Sequence, residues 1–521
     1  MKNIVLLIIT CVGLVSCDGL LDLKPENSVT FKNAFESEQD IESALKGTER
    51  LLRSITLYGG TTSPADRGIF SDNLRSGSGL LRDFGMGLYV GDWTKYYDLI
   101  MSANVTLPFL DKVEMAEIRR DFYRGEIAFF KAFAYLHIIR NYGDCVLVKD
   151  EVELKPLGQT PWPIVADYAI QLAKEAVRLL PEWNELRDAS GNAVTHRGRP
   201  CRGAANAVLA HLCAWKAGGK YLTRPENRNY DEQELWRQVD TACTAIISRS
   251  DIYVLASTPE EVCTKVLSGG SQESIFESVF KGYWNEFSEF EKGCGTTFFA
   301  QRYIGYPVDP NAVPGSIKWK GAKILNTTVE EMFQEYVKEG NRFVDQRRYA
   351  WFYDYDRMAA MDVAITGGYA YPYKWRNPVL ESVYGMFQGF DCNLIWWRLA
   401  DIYLLRAESL VHLGDNNGAI ADLNIIRDRA GAKRYEESEH GGDLRYTIFK
   451  EREKELLMEG SRWYDVVRNG YYRTELKGDH RILTEEDILN GALFAALPEI
   501  YFSENTLLRQ GYFWIQRGEK N

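Results

Sequence analysis

The chain has little of the chemistry that builds metal centres and disulfide frameworks. Its 521 residues include 9 cysteines and 6 histidines, and no CxxC, HxH or HExxH spacing occurs. It also lacks a glycine-rich phosphate loop, a GxSxG turn and a Cys/His nucleophile pair. These absences exclude the usual zinc motifs and hydrolase nucleophile motifs. We expect neither a metal nor a cofactor.

Positive charge is in deficit. Lysine and arginine number 62 against 73 aspartates and glutamates, which gives a net charge of −11. A protein that binds nucleic acid needs a basic surface that neutralises phosphates. The acidic balance therefore predicts no nucleic-acid partner, and it leaves a neutral ligand open.

The apolar run at the amino terminus is too short to cross a membrane. Residues 4–15 are apolar except Thr10, whereas a span needs about 20 residues. Such a run behind Lys2 is typical of a signal peptide. The following letters LVSC, which end at Cys17, resemble the bacterial lipobox, in which the cysteine is acylated and becomes the first residue of the mature chain.

This motif predicts a lipid anchor. We expect a signal peptide at 1–16, lipidation of Cys17 and an acylated tether at 17–30. The alternative is a plain export signal with an incidental Cys17. Cys11 is a poorer site because it lies inside the apolar run. The other seven cysteines are an odd set without CxxC, so we expect most of them to be small buried residues.

Apolar side chains recur with helical spacing in seven segments. The first, 121–141, is apolar almost all round and should stop near Gly143. The sixth, 415–431, should end at Gly431. The others follow Pro161, follow Gly203, or span 235–246, 400–411 and 446–468.

Taken together, these segments form successive pairs, with Ala and Gly where helices must approach closely. They predict a mostly α fold of tetratricopeptide-like stacked helix pairs, an α/α superhelix. An irregular helical protein is the alternative. We expect an N-terminal helical part at 31–279 and a C-terminal helical part at 391–521, in one compact body.

The segment 280–390 has a different character. Aromatic residues make up 25 of its 111 positions, nearly twice the 13% of the whole chain. Glycine and proline recur at short intervals, and clean helical stripes are few. We predict a loop-rich lobe with short strands at 279–283 and 369–375, where Pro372 favours an edge or a turn.

Seven motifs, in order along the chain, resemble those of one protein family. They are LDLKP at 21–25, WTKYYDLI at 93–100 with Asn104, EIAFFKAFAYLHIIRNYGD at 126–144, RLADIYLLRAE at 398–408, LNIIRDRAG at 423–431, EREKELLMEGSRWYDVVR at 451–468, and LPEI at 497–500 with Asn505. In this pattern Asp401 stands for a glutamate and Thr506 for a proline. The motifs resemble the SusD/RagB family of outer-membrane nutrient-binding lipoproteins over nearly the whole mature chain.

The resemblance implies a binding protein and no enzyme. Such a protein is anchored in outer-membrane lipid, faces the extracellular side and covers a TonB-dependent transporter. It captures oligosaccharides, or peptides in some members, and passes them on through a hinge motion. Ring faces that pack on sugars, with directed hydrogen bonds to hydroxyls, suffice for that role.

The resemblance also implies two ligand-binding segments. The first is the loop 71–89, with Asp72, Asn73, Arg75, Arg82 and Tyr89. The second is the aromatic lobe, with Tyr283, Trp284, Phe287, Tyr303 and Trp319 as candidates. Any single aromatic residue is more often a packing residue, and we assign Trp93 to packing.

Two other functions remain open. Glu455 and Glu459 could form the carboxylate pair of a surface glycosidase. They could equally join Arg462 and Asp465 in an ion network that ties the last helices together, which we favour. The same structural interpretation applies to Arg427, Arg429, Asp401 and Glu408. A surface adhesin or scaffold that binds protein is the second alternative.

Overall fold

A computed structural model of the chain describes residues 35–57, 75–76, 79–80, 93–152, 155–280, 324–376, 378–380, 387–476 and 478–518. The signal peptide and tether predicted at 1–30 lie outside these ranges.

Helices make up most of the described chain. The N-terminal part holds α1 (Glu38–Leu57), α2 (Thr94–Thr106), α3 (Glu117–Tyr142), α4 (Trp162–Leu179), α5 (Arg202–Gly218), α6 (Glu232–Ile247) and α7 (Pro259–Glu261). The lobe holds α8 (Asn326–Met332), α9 (Arg347–Trp351), α10 (Tyr355–Ala360) and α11 (Val363–Thr366). The C-terminal part holds α12 (Leu399–Leu413), α13 (Asn416–Ala430), α14 (Leu444–Glu455), α15 (Arg462–Asn469), α16 (Tyr472–Glu475), α17 (Glu485–Leu489), α18 (Glu499–Glu504) and α19 (Tyr512–Gln516).

The strands are short and pair two by two. They are β1 (Arg75–Ser76), β2 (Gly79–Leu80), β3 (Cys145–Val146), β4 (Gln159–Thr160), β5 (Ser274–Ser278), β6 (Ile324–Leu325), β7 (Glu335–Lys338), β8 (Asn341–Val344), β9 (Tyr369–Ala370), β10 (Pro378–Leu380), β11 (Phe387–Phe390) and β12 (Leu394–Arg398). The antiparallel pairs are β1–β2, β3–β4, β5–β12, β6–β9, β7–β8 and β10–β11. The β5–β12 pair joins the two ends of the lobe.

The long helices pack in order along the chain. Helix α3 packs against α4, α4 against α5, and α5 against α6. After the lobe, α12 packs against both α6 and α13. One apolar core therefore runs from Ile41 in α1 to Trp514 in α19. This arrangement confirms the predicted mostly α fold of stacked helix pairs.

Small residues lie where helices meet, as predicted. A Cβ atom added to Gly218, at the end of α5, would lie 2.6 Å from the carbonyl oxygen of Arg468 in α15. One added to Gly125 in α3 would lie 3.0 Å from Cγ of Leu180. Real Cβ atoms do not approach that closely without a shift of the neighbour, so these glycines set the helix spacing.

The predicted helix ends are also confirmed. Gly143 and Gly431 follow α3 and α13 with positive φ angles of 72° and 63°. Glycine adopts this left-handed conformation without a steric penalty. At the start of α13, the Asp415 carboxylate accepts from the Gly418 N–H at 3.0 Å.

The prediction of one continuous helix over 446–468 is wrong. The helix breaks between α14 and α15, where Met458 and Gly460 have positive φ angles of 66° and 83°. The break frees backbone carbonyls that lobe side chains use. Lys374 Nζ donates to the carbonyls of Glu455 and Leu457 at 2.8 and 2.9 Å, and Trp375 Nε1 donates to that of Met458 at 3.0 Å.

The lobe has a small core of its own, and about half of its described aromatic side chains pack there. Buried aromatics of this segment are Phe280, Phe333, Trp351, Phe352, Tyr355, Tyr371 and Trp375. Of the strand predicted at 279–283, Val279 and Phe280 are not in a strand, since β5 ends at Ser278, and 281–283 lie outside the described residues. At 369–375 only Tyr369–Ala370 form a strand, and Pro372 makes an isolated bridge with Phe352. Aromatic richness here is in large part a packing signal.

Candidate ligand-binding region

The residues predicted to bind ligand fall almost entirely outside the described ranges. Asp72, Asn73, Arg82, Tyr89, Tyr283, Trp284, Phe287, Tyr303 and Trp319 lie outside them, as does Cys17. The backbone of Arg75 lies in β1 and pairs with Leu80 of β2, while its side chain is outside the description. What the structure does place is the helical frame from which both segments leave.

Trp93 anchors the chain directly after the loop that contains 71–89. Its ring is 4% exposed. It stacks on Tyr501 with ring centroids 5.7 Å apart and meets Tyr97 and Tyr142 edge to face at 5.5 and 5.6 Å. This confirms the assignment of Trp93 to packing and fixes one end of the loop against the C-terminal segment.

An open cavity of about 270 Å³ lies beside this anchor; we call it the C-terminal cavity. It is bordered by the rings of Tyr142, Trp162, Phe494, Tyr512 and Trp514 and by the polar groups of Gln159, Arg224, Asn227, Asn490 and Arg509. Tyr142 belongs both to this cavity and to the packing around Trp93. The cavity therefore adjoins the packing around Trp93, the first described residue after the predicted ligand loop.

Contacts between distant segments hold the cavity in shape. Arg224 Nη2 donates to Asn490 Oδ1 at 2.9 Å, and the Arg509 backbone N–H donates to Gln159 Oε1 at 2.9 Å. Trp514 Nε1 donates to the Phe494 carbonyl at 3.1 Å. Tyr512 remains 56% exposed. Ring faces beside planar amide and guanidinium groups suit the apolar faces and hydroxyls of a sugar.

Sequence reasoning missed this cavity. Its walls come from 142–162, 222–227 and 489–514, which share no motif or common spacing. One local signal was available, the aromatic run YFW at 512–514. It lies outside the segment 280–390, in which we looked for ligand-binding aromatic residues.

The carboxylates of the last motif lie in a buried ion network. Arg398 Nη1 lies 2.7 Å from Glu455 Oε1 and 2.8 Å from Glu273 Oε1, and its Nη2 lies 2.7 Å from Glu459 Oε1. Lys374 Nζ from the lobe lies 2.5 Å from the same Glu459 oxygen. The network thus ties the lobe, β12 and α14 together.

A second set of buried pairs joins α12 to α14 and α15. Arg452 lies 2.7 Å from Asp401 and 3.0 Å from Asp465. Arg468 Nη2 lies 2.5 Å from Glu408. Arg427 and Arg429 pair with Glu451 and Glu273 at 2.8 and 3.2 Å, and Arg462 pairs with Glu453 at 2.7 Å. The structural interpretation of these residues is confirmed.

The electrostatics of Glu455 are those of a structural carboxylate. Burial alone would raise its pKa, but Arg429, Arg398 and Arg347 hold that pKa well below its ordinary value. The general acid of a glycosidase needs the opposite shift, a raised pKa that keeps its proton near neutral pH. The geometry at this pair gives no support to acid–base catalysis.

The described residues also bear on metal sites, membrane spans and cysteines. Within the described residues, no three or more His, Cys, Asp or Glu side chains are grouped so as to hold a metal. None of the described helices combines the length and apolar character that crossing a bilayer requires. Cys145, Cys201, Cys213, Cys243, Cys263 and Cys392 are free and buried, as predicted.

Comparison with known proteins gives consistent matches. A family model described as the SusD family matches residues 361–490. A SusD-like protein of Formosa agariphila is 23% identical over 512 residues, which cover 90% of each chain.

Solved structures share the fold. A SusD homologue of Bacteroides thetaiotaomicron superposes with a TM-score of 0.72 at 21% identity, over 92% of this chain and 99% of that one. A laminarin-binding SusD-like protein superposes with a TM-score of 0.67 at 20% identity, over 92% of this chain and 100% of that one. The matched segment contains the RLADIYLLRAE, LNIIRDRAG and EREKELLMEGSRWYDVVR motifs, and the likeness to the Formosa agariphila protein covers 90% of the chain. Residues 361–490 thus match the SusD family, and the chain as a whole is similar to SusD-like proteins, as its motifs predict.

Proposed function

We propose that this protein is a cell-surface nutrient-binding lipoprotein that captures oligosaccharides and delivers them to a TonB-dependent outer-membrane transporter. The observation that carries the proposal is the open C-terminal cavity of ring faces and planar polar groups beside Trp93. The laminarin-binding neighbour supports glycan as the ligand class. Oligopeptide capture by the same surface is the alternative.

The proposed ligand surface has three parts. The loop 71–89 supplies polar groups, the lobe supplies Trp284 and its neighbouring aromatics, and the C-terminal cavity supplies Tyr512 at the frame. Stacking of aromatic rings on sugar faces needs no acid, base or metal. The ligand is therefore bound and released unchanged.

The proposed anchor is Cys17, and residues 17–30 give the body its reach from the membrane. Lipid chains each contribute about 0.8 kcal/mol per buried CH₂, so more than one chain gives a stable anchor. We place the body on the extracellular face of the outer membrane, where it contacts the transporter through a surface of about 1,600 Å² or more.

Glycan binding is tested by isothermal titration of the purified mature chain with a panel of oligosaccharides and peptides. We expect a glycan to bind, and Trp284→Ala to weaken it at least tenfold, about 1.4 kcal/mol. Tyr512→Ala should weaken the same glycan by a smaller factor. The matched control is Tyr349→Ala, which removes an exposed aromatic side chain from α9. This control should leave the glycan affinity unchanged.

Three results would contradict the proposal. Binding of peptides alone would establish the oligopeptide alternative, and hydrolysis products in the titrated samples would establish the glycosidase. A glycan affinity that Trp284→Ala leaves unchanged would mean that Trp284 does not recognise the ligand.

Lipidation is tested by fractionating cells that express the full chain. Cys17→Ala should move the protein from the membrane fraction to the soluble fraction, because no acyl chain is then attached. Cys11→Ala is the matched control and should stay membrane-bound with an acylated amino terminus by mass spectrometry. An unacylated wild-type amino terminus would overturn the anchor.

A further inference from the structure

A small cavity lies in the body between α1, α2, α3, α5 and β12, and we call it the Arg140 cavity. Its volume is about 90 Å³, and its border includes Ile55, Tyr96, His137, Arg140 and Trp215. Ile55 and Tyr96 lie on the two helices that flank the chain segment 58–92. The cavity thus adjoins the point where the predicted ligand loop leaves the body.

Four polar atoms on this border have no hydrogen-bond partner within the part of the chain that the structure describes. They are Tyr96 Oη, His137 Nε2, Arg140 Nε and Trp215 Nε1. Tyr96, His137 and Trp215 are 1%, 2% and 2% exposed. An unpaired buried polar group is destabilising, so four such groups around one small cavity indicate that it holds a bound molecule or ion.

The hydrogen positions show what that occupant must offer. Arg140 Nη2 lies 3.0 Å from His137 Nδ1. A guanidinium only donates, so Nδ1 accepts and the imidazole proton is on Nε2. Burial lowers the pKa of His137 well below its ordinary value, which keeps the ring neutral. His137 Nε2, Arg140 Nε and Trp215 Nε1 are then three N–H donors, and the Tyr96 hydroxyl can donate as well.

The charges around the cavity indicate the sign of the charge that the occupant must carry. No described carboxylate lies within 4 Å of the Arg140 guanidinium, which instead sits 4.0 Å from the centre of the Tyr464 ring. Three carboxylates also border the cavity, and each is already paired: Asp401 with Arg452 and His211, Asp465 with Arg452 and Arg468, and Glu459 with Arg398 and Lys374. A cation–π contact offsets only part of the cost of burying a cation.

We propose that the Arg140 cavity binds one small anion, of halide or carboxylate size. Its volume equals that of about three water molecules, which is too little for a sugar ring. Water alone would satisfy the donors and leave the guanidinium without a counter-charge in direct contact. The anion comes either from solution or as the acid group of a larger ligand. The free-anion source does not depend on glycan binding.

The first test is crystallographic. Crystals of the mature chain grown with sodium bromide should show an anomalous peak in the cavity, within hydrogen-bonding distance of Arg140. Crystals of Arg140→Gln should lose it. A wild-type cavity that holds only water at the same bromide concentration would overturn the proposal, as would a peak that Arg140→Gln leaves unchanged.

The second test works in solution and covers the case in which Arg140→Gln does not fold. At constant ionic strength, bromide should raise the melting temperature saturably relative to gluconate, which is too large for the cavity. Tyr96→Phe removes one hydroxyl only and should weaken the apparent bromide affinity at least threefold. The same bromide response in wild type and Tyr96→Phe would count against the site.

Competition then identifies the source. Displacement of bromide by formate but not by glucuronate indicates a free anion, while displacement by glucuronate but not by glucose indicates the acid group of a sugar. Failure of both to compete would overturn a carboxylate-sized site. None of these outcomes depends on whether neutral glycans bind, so this inference and the proposed function fail separately.

Discussion

Replacing Glu455 with alanine should lower the free energy of unfolding by about 3–5 kcal/mol, the cost of breaking a buried ion pair from one side. Glu455 is fully buried. Its carboxylate lies 2.7 Å from Arg398 and 3.3 Å from Arg347, and it also pairs with Arg429. Its loss leaves three buried guanidinium groups short of counter-charge.

The measurement is equilibrium unfolding in urea at neutral pH. Glu455→Gln keeps the volume and removes the charge, so a similar loss assigns the effect to electrostatics. Glu437→Ala changes an exposed glutamate with no ion pair among the described residues and should cost less than about 0.5 kcal/mol. A loss below about 1 kcal/mol for both Glu455 variants would show that the network does not stabilise the fold.

Acid should remove stability between about pH 4.5 and pH 2. Burial alone would raise the pKa of Glu408, but Arg468 lowers that pKa to about 2. Arg462 and Lys450 likewise outweigh burial at Glu453 and lower its pKa to about 2. Both carboxyl groups titrate near 4.3 in the unfolded chain.

The sign follows from proton binding. Below pH 4.3 the carboxyl groups of the unfolded state bind protons, whereas those of the folded state stay ionised. The stabilisation by these carboxylates is therefore complete above that pH and is lost as the pH falls through 2. A shift of about two units is worth roughly 3 kcal/mol for each group. Melting temperature and urea midpoint should therefore both fall steeply over this range.

Glu408→Gln isolates one of these contributions. The variant should be less stable than wild type at pH 7, because Arg468 loses a charged partner. The difference between the two proteins should shrink as the pH falls from 4.5 to 2, since the unfolded wild-type chain then takes up a proton at Glu408 and the stabilisation by this carboxylate is lost. A difference that stays constant over this range would contradict the lowered pKa.

Local backbone preferences made the helical body readable from the sequence. Apolar residues at helical spacing marked α3 and α13, and Gly143 and Gly431 marked their ends, because these signals act within one or two turns. The order of motifs also identified the family. The same local reading ran one helix through 446–468, since it counted Gly460 as a small residue inside the helix and not as the break.

Contacts between distant residues were beyond the sequence. The break after α14 is held open by Lys374 and Trp375, which lie about eighty positions away in the chain. The C-terminal cavity and the Arg140 cavity are likewise assembled from segments that have no common spacing. The sequence by itself determined the helices and the likeness to the SusD/RagB family, because both depend on patterns of neighbouring residues. Tertiary structure alone decided which carboxylates are paired with arginine or lysine and where the two cavities lie, because both depend on how remote segments pack.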